Sequence, residues 1–263
     1  RADDFGPGGA GLEQLEALLR RGVRLVAVSA VQFQSGLRMP LAAIGALCRA
    51  HGAELLVDAI QACGVVPVDV EAMHIDYLSC GSHKWLMGLE GVAFLYLRDA
   101  AALRPVEAGW LSHEESVRFL LEGEGHLRYD RPIRKRADFV EGGAAPAVVL
   151  AALEAAVEPL VALGVPAIFE HVMAFHDALE PGLRARGFAS LRAAVPEQRS
   201  GILSVRPPAG VDVVALHRAL GQRGISCAIP DGRLRFSPHW PNSLAEVPLV
   251  LEAIDESLRE RPR

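Results

Sequence analysis

Two ionisable side chains stand where open parallel sheets hold their ligands. Asp58 closes the apolar run Leu55-Leu56-Val57, and Lys84 follows the strand-like run from Tyr77 to Cys80 across Gly81-Ser82-His83. Ligands of open α/β sheets bind beyond the carboxyl ends of the strands, so both residues reach one edge. Alone, the acid is an ordinary helix cap and the lysine an ordinary surface cation. Together they match pyridoxal phosphate catalysis, in which a lysine holds an aldehyde as an imine and an acid keeps the pyridine nitrogen protonated. The protonated ring is the electron sink that makes a substrate's α-proton removable. Arg235, in the strand-like run 233–237, reads from the residues alone as a strand arginine paired with a neighbouring acid.

The elements that must place these residues are legible from periodicity. Leu12, Leu15, Leu18 and Leu19 mark one face of a helix over 11–21, closed by Gly22. The continuous apolar run 25–31 reads as a buried strand. Pro40 opens a second helix, with Leu41, Ile44, Leu47 and Cys48 inward and Gly52 beyond its end. Strands follow at 54–58 and 77–80. This alternation predicts an α/β fold with a doubly wound, mostly parallel sheet. The strand at 92–97 comes too soon after Lys84 for a helical crossover, so an antiparallel addition is expected there.

Periodicity fades over 105–143, where Arg128, Asp130, Arg131, Arg134, Lys135, Arg136 and Asp138 crowd together; a solvated connection is the expected reading. Helices return at 144–163 and 166–186, the second carrying the stripe Ile168, Val172, Phe175, Leu179 and Leu183. A smaller C-terminal α/β unit follows, with strands at 201–206, 225–229 and 233–237 and helices at 212–223 and 243–260. Ser243 and Glu246 form a capping box for the last helix, and Arg259 and Arg261 suit its negative end. The expected division is 1–143, a cofactor-binding unit with its charged connection, and 144–263, the smaller unit with its linking helices.

Composition narrows the function. With 51% hydrophobic and 22% charged residues the chain is an ordinary globular one, and its net charge of −5 argues against nucleic acid as the main partner. No apolar run reaches the ~18 residues needed to span a bilayer, so no membrane role is expected. The four cysteines, Cys48, Cys63, Cys80 and Cys227, make no C-x-x-C pair and no zinc spacing, which fits reduced thiols and a cytoplasmic location. No metal site is expected, since His171 and His176 are five apart and cannot share a helix face.

The segments Val57-Asp58-Ala59-Ile60-Gln61-Ala62-Cys63-Gly64, Asp76-Tyr77-Leu78 and Ser82-His83-Lys84-Trp85-Leu86-Met87-Gly88 resemble the class V aminotransferase family. These fold-type-I pyridoxal-phosphate enzymes also include cysteine desulfurases. The resemblance implies that Lys84 forms the internal aldimine and shuttles the proton, and that Asp58 pairs with the pyridinium. Gln61 would bond the cofactor's 3-hydroxyl, and Ser82 and His83 would hold its phosphate. The run Leu234-Arg235-Phe236-Ser237-Pro238-His239-Trp240-Pro241-Asn242 looks like the family's Arg-x-Ser-Pro-His-x-Tyr-Asn segment, with Arg235 on the substrate carboxylate. His239 and Asn242 are read as structural. A homodimer with both sites at its interface is also implied.

Departures from the pattern matter. Gly143 stands where the family usually has the threonine that reaches the neighbouring subunit's phosphate, and Pro241 replaces a tyrosine. The family's preceding segment, with its phosphate-binding turn and ring-stacking aromatic residue, is missing, and the chain opens on Arg1 rather than Met. A large domain that is incomplete, from a fragment or a divided protein, is therefore expected. The leading expectation is an enzyme acting on a small amino acid by transamination, racemisation or elimination. One alternative is cysteine desulfuration through Cys227, opposed by the short link from Pro230 to Arg235 and the buried-strand reading of 225–229. Another is a catalytically silent scaffold.

Overall fold

The computed structural model describes residues 2–6, 8–128 and 130–259, so Arg261 of the expected helix end lies outside the described residues. The chain opens with helix α1 (Gly11–Leu19), which buries Leu19 and ends two residues earlier than its periodicity predicts. Strand β1 (Leu25–Ser29) leads through the loop 30–39 into helix α2 (Leu41–Ala50). Pro40 precedes the first turn of α2, and Leu41, Ile44, Gly45 and Cys48 are buried. Gly45 is a contact requirement, because a Cβ there would lie 1.9 Å from the carbonyl oxygen of Met73.

Strands β2 (Glu54–Asp58), β3 (Tyr77–Gly81) and β4 (Ala93–Leu97) complete a four-stranded sheet in the order β1-β2-β3-β4. The first two pairings are parallel and the third antiparallel, as expected. Register sets Ser29 beside Asp58 and Asp58 beside Ser79, so three carboxyl ends share one edge. The run expected as a fully buried strand differs in one respect: Leu25 is exposed, because β1 is the sheet's outer strand and only Val26 is fully covered.

Residues 98–146 carry only the short helix α3 (Arg118–Leu121) and isolated 3-10 turns. Its charges pair among themselves: Arg118 and Arg131 with Glu115, and Arg134 and Arg136 with Asp138. Helices α4 (Ala147–Leu163) and α5 (Val165–Ala185) meet at a 79° bend. Gly164 makes the corner with φ of 82°, a region that favours glycine. No single helix among the described residues is long and apolar enough to cross a membrane.

The C-terminal unit is a three-stranded antiparallel sheet, β5 (Ala189–Ser190), β6 (Leu203–Arg206) and β7 (Leu234–Phe236), in that order. Helices α6 (Val213–Gln222) and α7 (Glu246–Arg259) cover it. Asp212 caps α6 by accepting from the N–H groups of Val214 and Ala215. Before α7, Glu246 accepts from Ser243 N–H at 2.8 Å, while the Ser243 hydroxyl takes the N–H of Ala245. Two expectations need correction. Strand β5 was not foreseen, being only two residues long. Residues 225–229 form no strand beyond one bridge between Ala228 and Arg235, because the 3-10 turn Pro230–Gly232 doubles the chain back at once.

Helix α5 threads both cores. Ile168 and Val172 pack under the four-stranded sheet, whereas Phe175, Leu179 and Leu183 belong to the C-terminal cluster. Between them His176 is fully buried, its Nε2 bonded to the carbonyl of Gly201 at 3.0 Å and its Nδ1 unpartnered. Burial holds this imidazole neutral and pushes it down to about 4. A folded value below the unfolded one means that the unfolded chain binds the extra proton. The contribution is complete above pH ~6.5 and is lost as pH falls through about 4. At about 1.4 kcal/mol per pH unit it amounts to a few kcal/mol. Urea midpoints measured from pH 7 to 4 are expected to fall steeply for the wild type and less steeply for His176→Gln. Equal slopes would refute this assignment.

Candidate active site

The loop after β3 is closed from inside. Ser82 is fully buried, donates its hydroxyl to the Leu89 carbonyl and its N–H to Val92, and accepts from Gly88 N–H at 2.9 Å. Gly88 is tight against it: an added Cβ would come within 2.9 Å of the Ser82 Cβ. The Met87 N–H returns to the Lys84 carbonyl, with Met87 at φ of 57°. The consequence is a rigid bend whose outward residues are His83 and Lys84, both exposed. The His83 ring lies over Gly81, where a Cβ would sit 3.2 Å from its Cε1. Of the two residues expected at a phosphate, His83 faces outward and Ser82 inward.

Asp58 ends β2 beside this bend. Its Oδ1 accepts from the Ile60 N–H at 3.0 Å, a turn that leaves Oδ2 without a hydrogen-bond partner among the described residues. Gln61 follows one turn later and is buried at 6% exposure. Its Oε1 accepts from the indole N–H of Trp85 at 3.0 Å, which fixes the amide and leaves its NH2 group as the free end. Trp85, adjacent to Lys84, thereby ties the lysine loop to the turn after β2.

The C-terminal unit reaches the same edge through residues 235–242. His239 Nε2 donates to the Trp85 carbonyl at 2.8 Å, and its Nδ1 accepts from the Trp240 N–H at 2.8 Å. The two bonds settle the tautomer, and burial holds the ring below the usual histidine range. Asn242 Oδ1 accepts from the His239 N–H, and its Nδ2 donates to Glu246 at 3.0 Å. His239 and Asn242 thus hold the chain on the far side of Lys84. Sequence reasoning missed Trp85 as the common partner of Gln61 and His239; its position next to the lysine was the available signal.

Arg235 extends from β7 to the loop leaving β1, where Nη1 donates to the Phe33 carbonyl at 2.9 Å. Its Nε is buried with no partner, and no carboxylate approaches it within 4 Å among the described residues. Burial without a counter-ion lowers its proton affinity. Elsewhere arginines are matched: Arg98 with Glu71 and Asp76, Arg186 with Asp255, and Arg192 with Asp177 and Glu180. His83 and Lys84 also have no carboxylate partner among the described residues.

Cys227 neighbours Arg235 rather than the lysine. It lines a cavity of about 450 Å³ with Phe175, Arg235, Ser237 and Glu246, in which neither Asp58 nor Lys84 takes part. Burial pushes its thiol up to about 11. The histidines set aside as metal ligands are both engaged with backbone, His171 with Asn242 and His176 with Gly201. No group of three or more candidate metal ligands occurs among the described residues.

A lysine and an acid at adjoining carboxyl ends of a mostly parallel sheet, faced by a small α/β unit, define the fold-type-I architecture. The chain belongs to the class V aminotransferase family, whose profile it matches over residues 6–233. It is 30% identical over 252 residues to the uncharacterized aminotransferase YcbU of Bacillus subtilis, covering 93% of this chain and 62% of that protein. A shorter match, 43% over 93 residues, links it to the cysteine desulfurase IscS of Aeromonas hydrophila, covering 35% of this chain and 23% of that one. In fold it is similar to a cysteine desulfurase from Thermococcus onnurineus, with a TM-score of 0.84 at 23% identity over 98% of this chain and 65% of the other. It is also similar to the cystine C-S lyase C-DES, with a TM-score of 0.81 at 22% identity over 97% and 66%. The chain therefore spans less than two thirds of YcbU and of the Thermococcus enzyme.

The Gln61–Trp85 bond is open to direct test. Gln61→Leu leaves the buried indole N–H without an acceptor and is expected to cost about 1–3 kcal/mol in urea unfolding. In a Trp85→Phe background the same replacement is expected to cost much less, since no donor is then stranded. Equal costs in both backgrounds would mean that the bond does not hold the loop.

Proposed function

We propose that the chain carries the lysine, acid and substrate-carboxylate residues of a pyridoxal-phosphate enzyme acting on a small amino acid. The observation that carries this reading is the shared edge. Asp58, His83 and Lys84 stand at the ends of β2 and β3, opposite an Arg235 that is half-buried and has no carboxylate partner.

The donor set suits the cofactor group by group. The open Oδ2 of Asp58 is an acceptor for a protonated pyridine nitrogen, and the free NH2 of Gln61 is a donor for a phenolic oxygen. His83 is assigned to the phosphate by its exposed ring, whereas Ser82, whose hydroxyl is taken by the Leu89 carbonyl, shapes the bend that presents it. When bound, pyridoxal phosphate supplies an electron-withdrawing ring that acidifies the substrate's α-carbon. Lys84 Nζ would hold the cofactor at its aldehyde carbon, and the same amine is the base that would take and return the substrate's α-proton. Arg235 offers Nε and Nη2 to the α-carboxylate, fixing the substrate's orientation. Transamination, racemisation and elimination all use these same groups.

Desulfuration through Cys227 has the support of relatives bearing that name. The residue itself lends none: its thiol is raised by burial, and its hairpin is closed within three residues at Pro230–Gly232. Sulfide release from cysteine by the wild type, abolished in Cys227→Ser, would reverse the preference.

The sequence offers an internal control, since its only lysines are Lys84 and Lys135. The purified chain, incubated with pyridoxal phosphate and reduced with borohydride, is expected to carry one phosphopyridoxyl group on the Lys84 peptide. Lys84→Ala is expected to carry none. A folded chain left unmodified at Lys84, or modified equally at Lys135, would overturn the reading in favour of a silent scaffold.

A further inference from the structure

The mechanism leaves Cys63 and Cys80 unused, although they meet just behind Asp58. The Cys63 N–H donates to the Ala59 carbonyl at 2.9 Å, and Cys80 Sγ approaches that same oxygen at 3.7 Å. The two thiols are electrostatic neighbours, each the largest influence on the other's proton affinity. We propose that Cys63 and Cys80 form a peroxide-oxidisable thiol pair, Cys63 meeting the oxidant and Cys80 closing a disulfide.

The two partners differ in ways that assign these roles. Cys80 is 2% exposed, on the buried face of β3, with its Sγ against the carbonyls of Ala59 and Gly81. Cys63 is partly exposed and lines an open cavity of about 500 Å³ with Arg38, Pro67, Asp69, Met73 and Pro166. A small peroxide therefore reaches Cys63 and not Cys80. The neighbouring Cys80 thiol draws the Cys63 pKa down, while Cys63, burial and the nearby Asp58 carboxylate hold Cys80 protonated. Arg38, bonded to the Pro67 carbonyl and stacked on Phe169, places a cation on the wall of the same cavity. Cys48 and Cys227 lack such a partner, and burial raises both thiols.

The chemistry balances with one hydrogen peroxide. The Cys63 thiolate attacks a peroxide oxygen; an S–O bond forms, the O–O bond breaks, and the departing hydroxide leaves as water after taking a proton. Cys80 sulfur then attacks the sulfenic sulfur, an S–S bond forms, and the S–O oxygen departs as a second water with the Cys80 proton. Two thiols lose two electrons, and one peroxide is reduced to two waters.

The test titrates the full chain with hydrogen peroxide, alkylates the remaining thiols and maps peptides by mass. A single cross-link joining the Cys63 and Cys80 peptides is expected, about 2 Da lighter than the reduced pair, with Cys48 and Cys227 still alkylated. In Cys80→Ala, a dimedone adduct on Cys63 is expected instead, and in Cys63→Ala, peroxide consumption at least tenfold slower. The wild-type map decides the matter even if a variant folds poorly. Prior oxidation of Cys48 or Cys227, or Cys63 oxidised without the cross-link, would overturn the proposal. None of these outcomes depends on pyridoxal phosphate, so the pair and the Lys84 reading fail separately.

Discussion

The site depends on a seam of backbone carbonyls that the first sheet cannot satisfy. After β1 the loop 30–39 leaves the carboxyl edge, and three of its carbonyl oxygens are taken by the C-terminal unit. Arg235 donates to Phe33, the Ser204 hydroxyl to Gln34 and the Ser200 hydroxyl to Gly36. Buried carbonyls without partners are costly, so the loop keeps its shape only while the second unit is docked. Gly36 sits at φ of 78°, and a Cβ there would meet the Ile202 carbonyl at 2.5 Å. At Gly36 the two units therefore come within contact of each other's backbone.

Docking at this seam gives the site its geometry. Arg235 and Ser204 are register partners on β7 and β6, and their neighbours along those strands are buried in the C-terminal core. Hence the core that packs Leu203, Leu234 and Phe236 also aims the guanidinium at the first sheet. Four residues later His239 grips the Trp85 carbonyl. One short segment thus fixes both the arginine and the loop bearing Lys84. Each bond contributes about 1 kcal/mol net, which is small, but their joint effect is positional. A displaced C-terminal unit would move the arginine and loosen the lysine loop together.

Much of this was legible in the sequence, because the signals were local and repeated. The stripe Ile168, Val172, Phe175, Leu179 and Leu183 is buried as its spacing requires, and Glu54–Asp58 is a strand as its apolar run requires. The antiparallel place of β4 followed from the shortness of its connection. What escaped depended on distant partners. Residues 225–229 have a strand's composition but meet one neighbour at one position, since the turn at Asp231 spends its φ of 49° reversing the chain. The family motif implies a phosphate contact for Ser82, yet its loop takes the hydroxyl inside. Trp85 carries no catalytic residue type and becomes visible only when Gln61 and His239 arrive from 24 and 154 residues away.

Electrostatics explains why this edge, and not another, suits an anionic ligand. The chain is acidic overall at −5, and the arginines of its surface are largely neutralised by neighbouring carboxylates. Exposed pairs of that kind are worth little in stability, but they cancel one another's field. At the carboxyl edge the pattern reverses: Lys84 and Arg235 lack carboxylate partners within 4 Å among the described residues. A cation desolvated without a counter-ion costs stability, so Arg235 is maintained against its local energetics. Its Nε faces inward with nothing to bond. On the proposed reading, a substrate carboxylate would supply Arg235 with the counter-charge it lacks. The arginine's cost in the empty fold and its value to a bound acid have the same physical origin.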